Sequence, residues 1–249
     1  MKKLGLIGFP IAHSFSKKFY LEKFEREHIV GVHYDLYPIE DINNFPQLYE
    51  GDSSFYGFNV TIPHKRNIMR FLDALSPEAK AINAVNCIQL SWQAGKPCLK
   101  GFNTDAFGFE QSLKPLLKPQ HDKALVLGNG GAAQAVFYVL RQLGISFKIV
   151  SRSKENGDLT YKDLSEEVIA AHKLLINCSP VGTFPHVKEA PDIPYNGIDS
   201  THLLYDLIYN PEETAFLKNG RQRGATTKNG YEMLVLQAEK NWEIWNQKG

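Results

Sequence analysis

The sequence predicts an α/β protein of two domains. Apolar runs of strand length alternate with stretches of helical period through the first part of the chain, and the same rhythm restarts at Ala124 behind a glycine-rich turn. The strand-like runs are Leu4–Gly8, Val32–Tyr37 and Phe55–Val60, and each precedes a helical stretch: Phe15–Glu27, Ile42–Tyr49 and Arg66–Leu75. Parallel neighbours need a crossover helix between them, so this alternation implies a mostly parallel sheet. Ala84–Leu90 and Cys98–Phe102, separated by Gly95-Lys96-Pro97, read as a hairpin or edge pair closing the first domain. A helix over Thr104–Leu117 takes Thr104 as its N-cap and Pro119 as its stop. In the second domain, Ala124–Leu127, Phe147–Val150, Leu174–Asn177 and Leu203–Leu207 read as strands and Gly131–Leu143 as a helix. Pro180 to Pro194 is expected to lack regular structure, and Tyr231–Trp245 is the last helix.

Bulk properties narrow the partners. The chain has 249 residues, with 28 Lys+Arg against 27 Asp+Glu for a formal charge of +1. That is no electrostatic footprint for nucleic acid, and a small-molecule partner is expected instead. Cys87, Cys98 and Cys178 lack CxxC or His spacing, which argues against both a disulfide framework and a zinc site and fits reduced thiols in the cytoplasm. Gly5, Gly8 and Pro10 interrupt the early apolar run, so it reads as a strand and not as a signal peptide. No segment approaches the ~20 apolar residues that span a bilayer.

The turn Leu127-Gly128-Asn129-Gly130-Gly131-Ala132-Ala133 lies between a buried-strand pattern and a helix pattern, the setting of a dinucleotide fingerprint. Its glycines let the backbone approach a pyrophosphate, whose charge meets free N–H groups at the helix start. Ala133 stands at the third glycine position, which serves helix–strand packing. The second domain is therefore expected to be Rossmann-like. About 20 residues on, where an NAD site places Asp or Glu against the ribose, the chain has Ser151-Arg152-Ser153-Lys154. Arg152 suits the 2′-phosphate of NADP through charge-assisted hydrogen bonds. A strand-to-helix turn that merely wants glycine, followed by a solvated arginine, is the bland alternative.

Polar clusters end the apolar segments of the first domain: His13-Ser14-Phe15-Ser16, Asn59-Val60-Thr61, Lys65, Asn83 to Asn86, and then Asn103-Thr104-Asp105. Short hydroxyls and amides at strand ends are the groups that read a polyhydroxylated ligand. Each also has a local use, as helix cap or turn residue. Taken together and in order, Gly8 to Ser16, Gly57 to Lys65, Ala84-Val85-Asn86 and Gly101 to Asp105 closely resemble the shikimate dehydrogenase family. Ile176-Asn177-Cys178-Ser179-Pro180-Val181-Gly182, Tyr205-Asp206-Leu207-Ile208-Tyr209 and Asn229 to Gln237 extend the resemblance over almost the whole chain.

That resemblance implies an NADP-dependent enzyme that reversibly reduces 3-dehydroshikimate to shikimate in chorismate and aromatic amino-acid biosynthesis. Ser14 and Ser16 match residues that hold the substrate carboxylate, and Thr61, Asn86 and Asp105 match readers of the ring hydroxyls, with Asn59 close by. Lys65 matches the catalytic lysine. Tyr209 and Gln237 match substrate-side groups, Leu207 and Gly230 positions near the nicotinamide. Gly128, Asn129, Gly130, Gly131 and Ala132, with Ser151, Arg152 and Ser153, fall in the cofactor-binding stretches. Gln237 sits one turn after Met233 on an apolar stripe, and such an amide needs a partner, either a backbone carbonyl or substrate. The last helix is then expected to pack on the first domain, giving 1–103 plus 230–249 as the substrate-binding catalytic domain and 104–229 as the dinucleotide domain. A monomer or homodimer is expected.

Ketone reduction needs a hydride at carbon and a proton at oxygen, and the cofactor supplies only the hydride. A lysine, with an ordinary pKa of ~10.4, suits donation, and Asp105 is expected to orient the ammonium and accept a substrate hydroxyl. Shikimate oxidation should then run faster at alkaline pH. The alternatives are an NAD(P)-dependent quinate/shikimate dehydrogenase, a non-catalytic NADP-binding regulator on the same fold, and a plain binding module for a small carboxylate.

Overall fold

Leu4, Leu6 and Ile7 leave no polar face on their segment, and in the structure residues 4–8 are buried on both faces of a sheet. That is the environment such a run demands of a central parallel strand. The computed structural model describes residues 1–12 and 14–247; His13, Lys248 and Gly249 lie outside the described residues. The chain divides into two units, Met1–Thr104 with Ala238–Gly249, and Asp105–Gln237.

The first unit runs β1 (Lys2–Gly8), α1 (Phe15–Arg26), β2 (Val32–Pro38), α2 (Pro46–Tyr49), β3 (Phe55–Val60), β4 (Ala74–Leu75), α3 (Pro77–Ile82), β5 (Cys87–Gln93) and β6 (Lys96–Phe102). The six strands are ordered β2-β1-β3-β5-β6-β4. Strand β1 pairs in parallel with β2 and β3, whereas β5 runs antiparallel to both β3 and β6. A core of Ile7, Phe45, Phe55, Phe58, Ile68 and Ile88 is buried with this sheet. Each such side chain contributes roughly 1.5–3 kcal/mol on leaving water.

The second unit runs α4 (Asp105–Leu113), β7 (Lys123–Leu127), α5 (Gly131–Gln142), β8 (Ser146–Ser151), β9 (Leu159–Thr160), α6 (Glu166–Ala170), β10 (Leu174–Asn177), β11 (Leu203–Asp206), α7 (Ala215–Gln222), β12 (Thr226–Lys228) and the first half of α8 (Tyr231–Asn246). Its strands are ordered β12-β11-β10-β7-β8-β9, and every pairing is parallel. Counted within the unit this is the doubly wound order 3-2-1-4-5-6, which reverses direction between β7 and β10. The carboxyl ends of those two strands flank the topological switch point.

Several elements differ from the sequence expectation, each for a physical reason. The helix expected over Arg66–Leu75 is a 3-10 turn at Asn67–Phe71 followed by β4. Because β3 and β5 are antiparallel, no crossover helix is needed there. Ile42–Tyr49 breaks into a 3-10 turn and the short α2 where Pro46 has no N–H to give. The helix expected to stop at Pro119 gives way to a 3-10 turn at Lys114–Leu116, which contains Pro115. The strand expected from Ala84 begins at Cys87, behind Asn83 in the left-handed region at φ 58°. Helices α3, α6 and α7 were not anticipated, although Ser76, Ser165 and Thr214 cap them.

The long helix α8 is divided between the units. Near its start, the Met233 carbonyl lies 2.4 Å from where a Cβ on Gly108 of α4 would stand, so only glycine admits this approach. Its later residues serve the first unit. Trp245 packs on Tyr20 with centroids 5.4 Å apart and donates from Nε1 to the Ile88 carbonyl at 2.9 Å, while Tyr20 donates to the Ala238 carbonyl at 2.9 Å. Lys23 of α1, almost fully buried, bonds Glu239 at 2.6 Å and Glu27 at 2.9 Å. Among the described residues no helix is long and apolar enough to cross a membrane.

Trp245→Ala should lower stability by roughly 3–5 kcal/mol, because it opens a cavity beside two buried tyrosines and removes the donor to the Ile88 carbonyl. A urea midpoint unchanged from the parent would contradict this account of the helix.

Candidate active site

Asn59, Thr61, Lys65, Asn86 and Thr104, all singled out in the sequence, meet at one end of the first sheet. The carboxyl ends of β1, β3 and β6 and the amino end of antiparallel β5 all fall there, because Asn59 pairs with Cys87 and Cys87 with Phe102. Asn86 therefore stands beside Val60 and next to the Asn103-Thr104 turn. Its side chain is 3% exposed, accepts from the Thr104 N–H at 2.7 Å and donates to Thr104 Oγ1 at 2.9 Å. Thr104 Oγ1 in turn donates to Asn241 Oδ1 at 2.6 Å. Thr104 immediately precedes α4, and its hydroxyl joins this buried network.

Asn59 is held between two partners. The Tyr34 hydroxyl donates to its Oδ1 at 2.8 Å, and its Nδ2 donates to the Asn86 carbonyl at 3.4 Å. Ser16 is hydrogen-bonded to the same phenol, whose ionisation burial pushes well above the usual tyrosine range. Ser14 is the N-cap of α1, with Oγ accepting from the Ser16 N–H at 3.2 Å. Both serines are half-buried at the opening of a helix, a position that favours anions. The following Lys17 pairs with Asp35 at 2.6 Å.

Lys65 is half-buried on the turn after β3. That turn is anchored by buried His64, whose Nε2 donates to the Ile39 carbonyl at 2.6 Å, and by the Lys65 carbonyl, which accepts from the Val85 N–H at 2.8 Å. The His64 N–H bonds the Thr61 carbonyl at 2.9 Å, so Thr61 and Lys65 ride on one rigid turn next to Asn86.

In the second unit the carboxyl ends of β8, β7, β10 and β11 deliver four loops in a row. Gly128 adopts φ +109°, and a Cβ there would stand 3.1 Å from the Ser179 nitrogen, so both conformation and space require glycine. Gly130 and Gly131 differ: nothing lies within 4 Å of an added Cβ at either. Gly130 is the N-cap of α5 and no side chain caps that helix, so its first N–H groups open on a bare backbone cradle. This arrangement fits a pyrophosphate. Ala133 is fully buried, as a packing position should be.

The loop after β8 is braced against this cradle. Asn129 Nδ2 donates to the Asn156 carbonyl at 2.8 Å, Asn156 Nδ2 to Ser153 Oγ at 3.1 Å, and the Ser151 hydroxyl to the Ser153 carbonyl. Arg152 is exposed on that braced loop, while Lys154 lies 3.7 Å from Asp163. Leu207 and Gly230 are pressed together, since a Cβ on Gly230 would stand 2.1 Å from the Leu207 carbonyl oxygen. Tyr209 is 38% exposed two residues further on. Gln237 is buried and gives its Nε2 to the Leu234 carbonyl at 2.8 Å, which fixes the orientation of its amide. Asp105 opens α4 and is half-buried.

Residues 6–88 match the shikimate dehydrogenase substrate binding domain. The chain is 35% identical to a shikimate dehydrogenase (NADP(+)) of Methanococcus maripaludis, across 98% of this chain and 91% of the relative. A shikimate dehydrogenase (NADP(+)) of Clostridium beijerinckii is 38% identical, across 99% and 93%. The chain belongs to the shikimate dehydrogenase family. Among solved structures, the shikimate 5-dehydrogenase of Thermus thermophilus in complex with NADP(H) and shikimate matches with a TM-score of 0.83 and 30% identity, over 99% of this chain and 94% of that one.

Sequence reasoning missed some members of these networks. Asn241 lies one helical turn after Gln237 and carries the same signal, a buried amide on a largely apolar helix. Tyr34 gave no signal, because its partner is distant in sequence. Asn177, Asp206 and Thr214, all fully buried, form a third cluster at the ends of β10 and β11. Burial pushes the Asp206 carboxyl up to about 6, against the opposing hydrogen bonds of Thr214, Ile208 and Asn177.

A folded-state value above the unfolded one means that the native protein holds the Asp206 proton more tightly. The associated stability is full below about pH 4 and is lost as pH rises through about 6. Relative to the parent, Asp206→Asn should therefore gain on the order of 2–3 kcal/mol between pH 4 and pH 7. Urea midpoints of both proteins across that range test this, and a constant gap would refute it.

Proposed function

We propose that the chain catalyses the reversible, NADP-dependent reduction of 3-dehydroshikimate to shikimate. The observation that carries the reading is similarity along almost the whole chain to shikimate dehydrogenases (NADP(+)), including relatives 35% and 38% identical. The residue roles rest on the motif matches and on the local geometry of each unit.

When bound, NADPH supplies the hydride. The bare cradle at Gly128, Asn129, Gly130, Gly131 and Ala132 takes the pyrophosphate, and the braced loop Ser151-Arg152-Ser153 takes the adenosine phosphate. Leu207 and Gly230 shape the wall beside the nicotinamide. Residues 1–103 with 230–249 make up the substrate-binding catalytic domain and 104–229 the dinucleotide domain, whereas the compact units divide at Thr104 and Ala238. Ser14 and Ser16 bind the carboxylate from the start of α1, and Thr61, Asn86 and Asp105 bind the ring hydroxyls. Asn59 braces Asn86, and Tyr209 and Gln237 complete the substrate contacts.

Lys65 gives its proton to the developing alkoxide oxygen, and the anchored turn around His64 holds it in place. No metal is required, and the setting is cytoplasmic.

Lys65→Met and Asp105→Asn should each lower kcat for 3-dehydroshikimate with NADPH by roughly 10²–10⁴, the scale of general acid–base assistance. The assay follows NADPH absorbance. Parent-like turnover in either variant would remove that residue from the mechanism.

Arg152→Ala should raise KM for NADPH by roughly ten- to a hundredfold, the worth of charge-assisted hydrogen bonds. Turnover at saturation and KM for 3-dehydroshikimate should stay near the parent. Repeating the assay with NADH and with quinate separates this reading from an NAD(P)-dependent quinate/shikimate enzyme, and absence of turnover with any pair would favour a regulator.

A further inference from the structure

The Asn177–Asp206–Thr214 cluster has no part in the roles assigned above, yet it braces the Leu207–Tyr209 loop, which does. Asp206 ends β11, and its carboxylate accepts three hydrogen bonds: Thr214 Oγ1 at 2.6 Å, Asn177 Nδ2 at 3.0 Å and the Ile208 N–H at 3.0 Å. Asn177 ends β10, and its Oδ1 accepts from both the N–H and the hydroxyl of Ser179 at 3.0 and 2.7 Å. Its backbone carbonyl accepts from the Leu207 N–H at 3.0 Å, and the Ile208 carbonyl accepts from the Gly230 N–H at 3.0 Å. One buried carboxylate thus fixes the backbone on both sides of Leu207, and through Ile208 the approach to Tyr209.

Stability alone gives little reason for a charge here. A buried carboxylate loses its hydration, and a neutral group of similar shape generally serves packing as well or better. What an apolar group cannot do is gather the Ile208 N–H, the Asn177 amide and the Thr214 hydroxyl onto one point. Thr214 also caps α7, with its Oγ1 accepting from the Leu217 N–H at 3.3 Å, so the same point is tied to a helix.

We propose that Asp206 is a positioning residue for the reaction. It sets the Leu207–Tyr209 loop through Ile208 and Asn177, touching neither substrate nor cofactor. This rests on the functional reading above.

The test compares the parent with Asp206→Leu and Asp206→Asn, measuring kcat and KM with 3-dehydroshikimate and NADPH, and NADP⁺ affinity by calorimetry. Asp206→Leu should keep NADP⁺ affinity within about threefold, because the Gly130–Gly131 cradle and the Arg152 loop lie on other strands, while kcat falls at least tenfold. Asp206→Asn should recover most of that loss, since its amide oxygen still accepts from the Ile208 N–H. Parent-like kcat in Asp206→Leu overturns the inference, and so does a parallel loss of NADP⁺ affinity and kcat, which would mark a general structural role. If Asp206→Leu does not fold, Thr214→Val and Thr214→Ser decide: only the valine variant should lose kcat with NADP⁺ affinity kept, and equal activities overturn the inference. A parent inactive with 3-dehydroshikimate sinks the functional reading itself, and this inference with it.

Discussion

Asn86 cannot be buried without partners, and the way it finds them organises one end of the first sheet. A desolvated amide left unpaired costs about 1–3 kcal/mol, so the position tolerates only conformations in which Thr104, Asn59 and the Phe102 carbonyl come to it. Those partners belong to strands β3 and β6 and to the turn entering α4. Satisfying this one residue, side chain and backbone together, therefore aligns the segments that carry Asn59, Thr61 and Thr104. The cost of the unsatisfied alternative gives the arrangement its uniqueness, more than the modest net gain of each bond does.

The second unit meets the same requirement with backbone. Parallel strands bring their carboxyl ends together, and the reversal between β7 and β10 leaves a crevice there that helices do not fill. Around it the protein uses polar side chains to brace loops, Asn129 to Asn156 on one side and Asn177 to Asp206 on the other. At Gly130 and Gly131 it offers no side chain at all. The rigidity of the neighbours and the emptiness of the cradle belong together, because a bare loop binds well only when its shape is already fixed.

Much of this was legible in the sequence where the signal is local. Leu174–Asn177 is a short, wholly apolar run ending in a polar residue, and it is strand β10 to the residue. The glycine turn could be read because φ +109° at Gly128 and the bare N-cap at Gly130 both call for glycine. Where partner choice is distant, the reading failed. Arg66–Leu75 carries a helical period, yet β3 and β5 are antiparallel and nothing in the segment says so. The meeting of the Thr104 hydroxyl with Asn86 and Asn241 has no local signal either. Ser76-Pro77-Glu78, a capping serine followed by proline, is a local start signal for α3. Which of several clustered polar residues touches a ligand and which holds another residue still is a question of three-dimensional pairing, as Asn59 and Asp206 illustrate.

The division of α8 between the units bears on how the chain is made. Tyr20, Tyr34 and the Ile88 carbonyl precede the second unit in the chain, yet the residues that cover them, Ala238 to Trp245, follow it. Domains generally form as units, N-terminal first, as the chain emerges. Here the N-terminal sheet must wait with an aromatic face exposed while the whole second unit is translated, so the second unit can finish before the first has its last helix.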